Sequence, residues 1–492
     1  MNGDRHVTGR TLAKHLGQWR TEGNGAVSPA AYAELAERIK LLVLDGRLPV
    51  RTRLPAEREL ATALTISRTT VAAGYDLLRE AGFLHSKRGS GSWTTLPETP
   101  GVQHLSPFAP AGDSTALDLA YAATAAPTAP FAAALNWATE RVTHHATGSG
   151  YQLFGLRSLR AAVAARYTAR GLPTTPDEVL ITSGAQHANA LVFATLVSPG
   201  DRVLVEHPTY PNALDAIARE HARAVPVGFT GTDWDIDTIA AAVRDACPRL
   251  MYLIPDFQNP TGLCMSAEQR AELVELGRRT RTPLLVDESV AELPLDGEQL
   301  APLASHLPEH SSSPIITVGS ASKTFWGGLR IGWVRARRPM IDRIARSRAS
   351  VDIASSVLDQ LITQHLLDAI DTVLADRLPR LRSARDHLRG LVTRHFPGWT
   401  ASAPTGGLSL WVDLDAPVSS ALVSSASRHG VLLAAGPRFG LDGAFERFLR
   451  LPYTLPEPCL DEAMERLTAA WLALSSDPAP TGGWPSRTAE VA

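Results

Sequence analysis

Cysteine is nearly absent. Three in 492 residues, at Cys247, Cys264 and Cys459, are too few and too widely spaced for a disulfide framework or a zinc site. They read as small residues of a reducing compartment. Long apolar runs are missing as well. The opening segment MNGDRHVTGRTLAKHLGQWR has none to serve as a signal peptide, and no stretch is long enough to span a bilayer. These absences point to a soluble cytoplasmic chain with no metal centre and no membrane partner. An excess of charge is missing too, since 48 Lys and Arg oppose 50 Asp and Glu for a net charge of −2. Whole-chain attraction to nucleic acid is thereby excluded, so any DNA affinity has to be local.

What is present divides into parts. Residues 1–27 end in TEGNGAVSP and read as a mobile lead-in, with a short helix ahead of its end. Residues 28–95 carry helical and then strand patterning. Residues 96–116 hold a Pro- and Gly-rich stretch expected to be an extended linker. From 117 to 473, β-branched runs such as VLIT (179–182), RVLVE (202–206), MYLIPD (251–256) and IITVGS (315–320) alternate with amphipathic helical stretches. That alternation predicts an α/β fold with a mostly parallel sheet. Residues 474–492 have the composition of a disordered tail.

Within 28–95, a helix is expected over about 28–45 with Tyr32, Leu35, Ile39, Leu42 and Val43 on one face. Pro55 can open a second helix to about Leu64. Thr65–Ser67 make a turn, and Ser67 caps a third helix that turns Val71, Tyr75 and Leu78 inward. Arg68, Thr69 and Thr70 then face outward at the end that meets base edges in helix-turn-helix proteins. FLHS and SWTT read as two strands around a basic, glycine-rich wing. Ten Lys and Arg against seven Asp and Glu between Ser28 and Thr95 give a small local positive excess. It concentrates at Arg58, Arg68, Lys87 and Arg88. The segment resembles the GntR family of winged helix-turn-helix domains through LPAERELA (54–61), SRTTV (67–71) and RGSGSW (88–93). The resemblance implies major-groove contacts from Arg58, Ser67, Arg68, Thr69 and Thr70. It also implies that Arg88 and Gly89 lie along the minor groove or backbone of a double-stranded operator.

In the larger part, TSGAQHA (182–188) leads from a strand into a helix whose N–H groups can hold a phosphate. EHPTYP presents Tyr210 for stacking on a flat ring. QNPTG offers Asn259 as a hydrogen-bond donor. Asp287 ends PLLVD, where a buried carboxylate calls for a cation such as a protonated pyridine nitrogen. VGSASKTFWGGLRIGW sets Lys323 among apolar and hydroxyl residues, where desolvation frees its amine for a Schiff base. Ser320, Ser322 and Arg330 could complete a phosphate cup.

The set is similar to the class I/II, fold-type I aminotransferases, in motif order and wording, over about 117–473. That resemblance implies pyridoxal 5′-phosphate as cofactor, with Lys323 as its Schiff-base lysine and Asp287 at the ring nitrogen. It places Asn259 at the ring hydroxyl and Tyr210 on the ring face. Ala185, Gln186, Ser320, Ser322 and Arg330 fall on the phosphate, and Arg450 on a ligand α-carboxylate. Tyr151 corresponds to a tyrosine that reaches the phosphate across a dimer. One departure stands out: Ser289 and Val290 occupy positions where the family carries a tyrosine on the ring hydroxyl, which puts efficient transamination in doubt. The combined architecture resembles MocR-type regulators. It implies a head-to-tail homodimer with pyridoxal phosphate, or an amino compound captured as its aldimine, as effector. Two other readings stay open: a working aminotransferase with an accessory DNA-binding unit, and a constitutive DNA-binding protein whose large domain only dimerises.

Overall fold

Helical spacing followed by short strands produces a winged helix-turn-helix at the N-terminal end of the computed structural model, which describes residues 5–17, 19, 31–87, 91–95, 116–230, 233–308 and 314–476. The helix Ala31–Leu44 buries Leu35, Ile39, Leu42 and Val43, whereas Tyr32 stays 40% exposed at its first turn. The helix Glu57–Leu64 starts two residues after Pro55 and stops at Thr65, whose left-handed backbone (φ 56°) makes the turn. Ser67 Oγ accepts the Thr70 N–H at 3.0 Å and so opens the helix Arg68–Glu80. Tyr75, 2% exposed, donates its hydroxyl to the Pro55 carbonyl at 3.0 Å and ties that helix to the segment ahead of its neighbour. Strands Leu84–Lys87 and Gly91–Thr94 pair antiparallel as the wing.

The expected lead-in is in part a structural member of this unit. Arg5–His6 pairs with Thr52–Arg53, and the helix Gly9–Leu16 buries Leu12 and Leu16 in the same core. Its first N–H donates to Glu59 Oε1 at 2.6 Å. The periodicity of eight helical residues was too short to reveal this from sequence. Most of the linker (96–115) and most of the tail (477–492) lie outside the described residues.

The large domain is built on a seven-stranded sheet. Its order runs Val179–Thr182, Gly332–Arg335, Ile315–Ser320, Leu284–Asp287, Leu250–Leu253, Arg202–His207, Arg223–Gly228. All neighbours are parallel except Gly332–Arg335, antiparallel on both sides. Helices cover it, so the strands read as continuous apolar runs. A smaller five-stranded sheet contains Ser409–Asp413, Phe448–Pro452 and Val431–Ala435, and takes in Leu117–Leu119 as an edge. Chain segments leaving the carboxyl ends of the central strands face the smaller sheet, the usual place for a ligand in such a fold. Among the described residues no helix is long and apolar enough to cross a membrane.

Candidate functional site

On the N-terminal unit, Arg58, Ser67, Arg68 and Thr69 are exposed and Thr70 is half-buried. The Ser67 hydroxyl also meets Thr69 Oγ1 at 2.7 Å and Thr70 Oγ1 at 2.8 Å, which orders the hydroxyls at the start of the recognition helix. Arg68 reaches Glu57 at 3.1 Å while its side chain stays 72% exposed, a pair weak enough to yield to phosphate or guanine. Arg88 and Gly89 lie outside the described residues. Arg53 went unnoticed in the sequence. It is exposed and stands against the wing at Gly91, where a Cβ would come within 2.6 Å of its Nε.

The residues singled out in the large domain, Tyr151 excepted, converge on one cavity of about 460 Å³ between the two sheets. Its anionic end is prepared by backbone. Gly184 has φ +93°, and a Cβ there would lie 2.6 Å from Arg330 Nη2, so only glycine lets that guanidinium lie over the start of the helix Ala185–Leu196. Arg330 donates to the Ser183 carbonyl at 3.1 Å. Ser320 Oγ caps the short helix Ala321–Thr324 by accepting the Ser322 N–H at 3.1 Å, and the buried Ser322 Oγ has no partner. Gln186 donates to the Asn212 carbonyl at 2.9 Å, and its buried Oε1 is unpaired. Helix N–H groups, a guanidinium and an orphaned hydroxyl suit a phosphate.

Lys323 donates from Nζ to the Ala122 carbonyl at 2.7 Å. Burial, with Arg450 and Arg330 nearby, pulls its pKa down to about 8 against the opposing pull of Asp287. Asp287, 5% exposed, accepts from Asn189 Nδ2 at 3.2 Å, Tyr252 Oη at 3.1 Å and the Ser289 N–H at 3.0 Å. These three neutral donors fix the carboxylate in the cavity wall. Tyr210 lines the wall; its hydroxyl accepts from Asn212 at 3.0 Å, and burial raises its pKa to about 12. Asn259 accepts from Arg450 Nη1 at 3.2 Å through Oδ1, which turns its amide donor toward other partners. Arg450, 7% exposed, also donates to the Ala120 carbonyl and lies 4.9 Å over the Phe439 ring. Burial lowers its pKa to about 10, and its Nε is unpaired. Ser289 and Val290 line the cavity with no tyrosine in their place. Tyr151 is 68% exposed and lies away from this chain's cavity.

Two descriptions match the chain. The class I and II aminotransferases match residues 120–467, and the bacterial regulatory proteins of the gntR family match residues 31–93. The chain belongs to the class I and II aminotransferase family, joined to a GntR-type DNA-binding domain. The uncharacterized HTH-type transcriptional regulator YisV of Bacillus subtilis (strain 168) is 26% identical over 473 residues, covering 89% of this chain and 95% of that protein. The probable rhizopine catabolism regulatory protein MocR of Rhizobium meliloti is 26% identical over 90% of this chain and 94% of its own length. Such coverage makes this a MocR-type HTH transcriptional regulator with an aminotransferase-like domain. Among solved structures, the α-aminoadipate aminotransferase LysN of Thermus thermophilus, complexed with N-(5′-phosphopyridoxyl)-L-leucine, superimposes with a TM-score of 0.67 at 26% identity. It covers 73% of this chain and 93% of that one.

Sequence reasoning missed three site features. Ala120–Ala122, just after the edge strand Leu117–Leu119, is gripped by both Lys323 and Arg450. Arg377 clamps the end of the Lys323 helix by donating to the carbonyls of Thr324 at 2.7 Å and Phe325 at 2.9 Å. Asn189 and Tyr252 fix Asp287. Each depends on pairing between distant segments, which no local pattern marks.

Proposed function

We propose that this regulator binds pyridoxal 5′-phosphate in the cavity and uses its presence, or that of an amino compound joined to it, to set operator binding. The observation that carries the reading is convergence in one cavity. Lys323 with a lowered pKa and the orphaned Ser322 hydroxyl on one short helix, Arg330 from the turn after it, the buried Asp287 at the end of a strand, and the N-terminus of the helix Ala185–Leu196 all meet there. When bound, the cofactor supplies an aldehyde for amines and an electron-withdrawing ring. Lys323 would hold it through Nζ, and Asp287 would keep a proton on the ring nitrogen. Tyr210 would cover one ring face, and Asn259 would donate to the ring hydroxyl. Ala185, Gln186, Ser320, Ser322 and Arg330 would bind the phosphate. Arg450 would orient a carboxylate on the incoming amine, with its Nε still available.

Transaminase turnover is the second reading, favoured by the retention of Arg450 and Asn259 in contact at 3.2 Å. Ser289 and Val290 argue against it, because valine has no donor and the short serine hydroxyl does not supply a tyrosine phenol. A head-to-tail homodimer completes the proposal. Tyr151, Val351 and Ile353 are 68%, 63% and 47% exposed. Their segments are tied together, since Arg348 donates to the Leu153 carbonyl at 3.0 Å and pairs with Asp352 at 2.7 Å. Asp352 in turn accepts from Ser183 at the anionic end of the cavity at 3.0 Å. An apolar surface of this kind suits a partner copy.

The test is an absorbance titration of the full chain with pyridoxal phosphate, followed by a panel of amino acids. A visible band that forms in the wild type and is lost in Lys323→Ala supports the reading. No band refutes it, and sustained conversion with a keto acid favours the enzyme.

A further inference from the structure

The DNA-binding unit stands on the wall of the cavity. Its first long helix ends at Leu44, and the following turn, Asp45–Arg47, is embedded in the large domain. The Leu44 carbonyl accepts the Phe445 N–H at 2.8 Å, and the Gly46 carbonyl meets His207 Nδ1 at 3.0 Å. His207 Nε2 accepts the Leu441 N–H at 2.9 Å. Both ring nitrogens are therefore committed, and these partners dictate a neutral imidazole with its proton on Nδ1. The ring packs on Phe445 with centroids 4.7 Å apart. Gly46 has φ +66°, and a Cβ there would lie 2.5 Å from Phe445 Cζ and 2.8 Å from His207 Cε1. Asp45 lies 3.8 Å from Arg447, which is also bound to Asp413 at 2.9 Å.

The same two segments form the cavity wall. His207 is three residues before Tyr210. Leu441 and Phe445 continue from the turn Gly436–Phe439, which brings Arg438 and Phe439 into the cavity lining. The two are stapled, since the Thr209 N–H donates to the Phe439 carbonyl at 2.8 Å. On the other side, the helix Ala31–Leu44 packs closely on the recognition helix, where a Cβ on Gly74 would lie 3.1 Å from the Tyr32 carbonyl.

We propose that the Leu44–Arg47 turn is a latch by which the wall segments 207–210 and 436–445 set the pose of the DNA-binding unit according to what fills the cavity. The proposal rests on the cofactor reading above. A ligand that shifts Tyr210 or Phe439 acts on segments that reach the turn through His207 and Phe445, each by one hydrogen bond, and an interlocked, close-packed contact transmits such a shift rather than absorbing it.

Hydrogen exchange on the full chain tests it, for the wild type, Gly46→Val and Asp45→Lys, each with and without pyridoxal phosphate and with absorbance read in parallel. Valine at 46 collides with two rings, whereas lysine at 45 faces Arg447 and leaves the glycine in place. In the wild type, cofactor binding changes the exchange of amides in both 42–48 and 436–445. In both variants these amides exchange about tenfold faster than in the wild type, as loss of a buried hydrogen bond and its packing implies, and no longer respond to cofactor. The absorbance band of the bound cofactor still forms in both variants at saturating cofactor, so that lost coupling is distinguished from lost binding. Wild-type protection at 42–48 and 441–445 in both variants overturns the latch. So does a cofactor-saturated wild type whose 42–48 exchange equals that of the free protein. An absent absorbance change refutes the cofactor reading and the coupling with it, while the comparison of variants with the wild type still judges the contact itself.

Discussion

Capture of pyridoxal phosphate by Lys323 should depend on pH in a way that an ordinary lysine cannot imitate. The cavity disfavours the ammonium, first through burial and then through the charges of Arg450 and Arg330, and brings its pKa to about 8. The sign follows: the free amine is already present near neutrality and saturates above pH 8. At pH 7 about one Lys323 in eleven is unprotonated, whereas at the ordinary pKa of about 10.5 it would be about one in three thousand. The reactive fraction is thus larger by roughly 300-fold. Stopped-flow absorbance after mixing full-length protein with the cofactor measures the capture rate between pH 6 and 10. The rate should rise about tenfold per pH unit at first and level off near pH 8. Arg450→Gln, which removes a neighbouring cation, should move the plateau to higher pH. A rate still climbing at pH 10, or a plateau unmoved by Arg450→Gln, would refute the reasoning.

Three further outcomes follow from local geometry. Arg68→Ala should weaken operator binding by about 1–3 kcal/mol and lower the log–log salt slope by about one, measured by fluorescence anisotropy across salt. Gly184→Ala should lower cofactor affinity by about tenfold or more in an absorbance titration, because its φ of +93° disfavours alanine and the new methyl meets Arg330 at 2.6 Å. Tyr75→Phe should destabilise the DNA-binding unit by about 1–3 kcal/mol in thermal unfolding, since the buried Pro55 carbonyl loses its donor. Wild-type affinity, unchanged titration and an unshifted melt would respectively contradict these three.

The cavity was legible in the sequence to the extent that its residues sit where strands end. Asp287 closes one strand and Ser320 another, and the Lys323 helix follows at once, so each motif carries its own local context. The donors that hold Asp287 were not legible. Asn189 and Tyr252 come from a different helix and strand, and no local pattern marks which side chains a sheet will bring together. The helix-turn-helix could be read because Ser67 caps and Val71, Tyr75 and Leu78 recur at helical spacing. The helix Gly9–Leu16 could not be assigned to the same unit, because its docking depends on a tertiary bond to Glu59. The contact of Gly46 with His207 joins residues 161 apart, and a single glycine after a helix reads only as a stop signal.

The most direct test of a cofactor-sensing regulator is operator affinity itself. A duplex selected from a random-sequence pool with the full chain serves as the probe, and its dissociation constant is measured with and without saturating pyridoxal phosphate. The account predicts that the cofactor changes the affinity of the wild type and leaves that of Lys323→Ala unaltered. A wild type shown by absorbance to be saturated, yet bound to the duplex with the same affinity as the free protein, contradicts it.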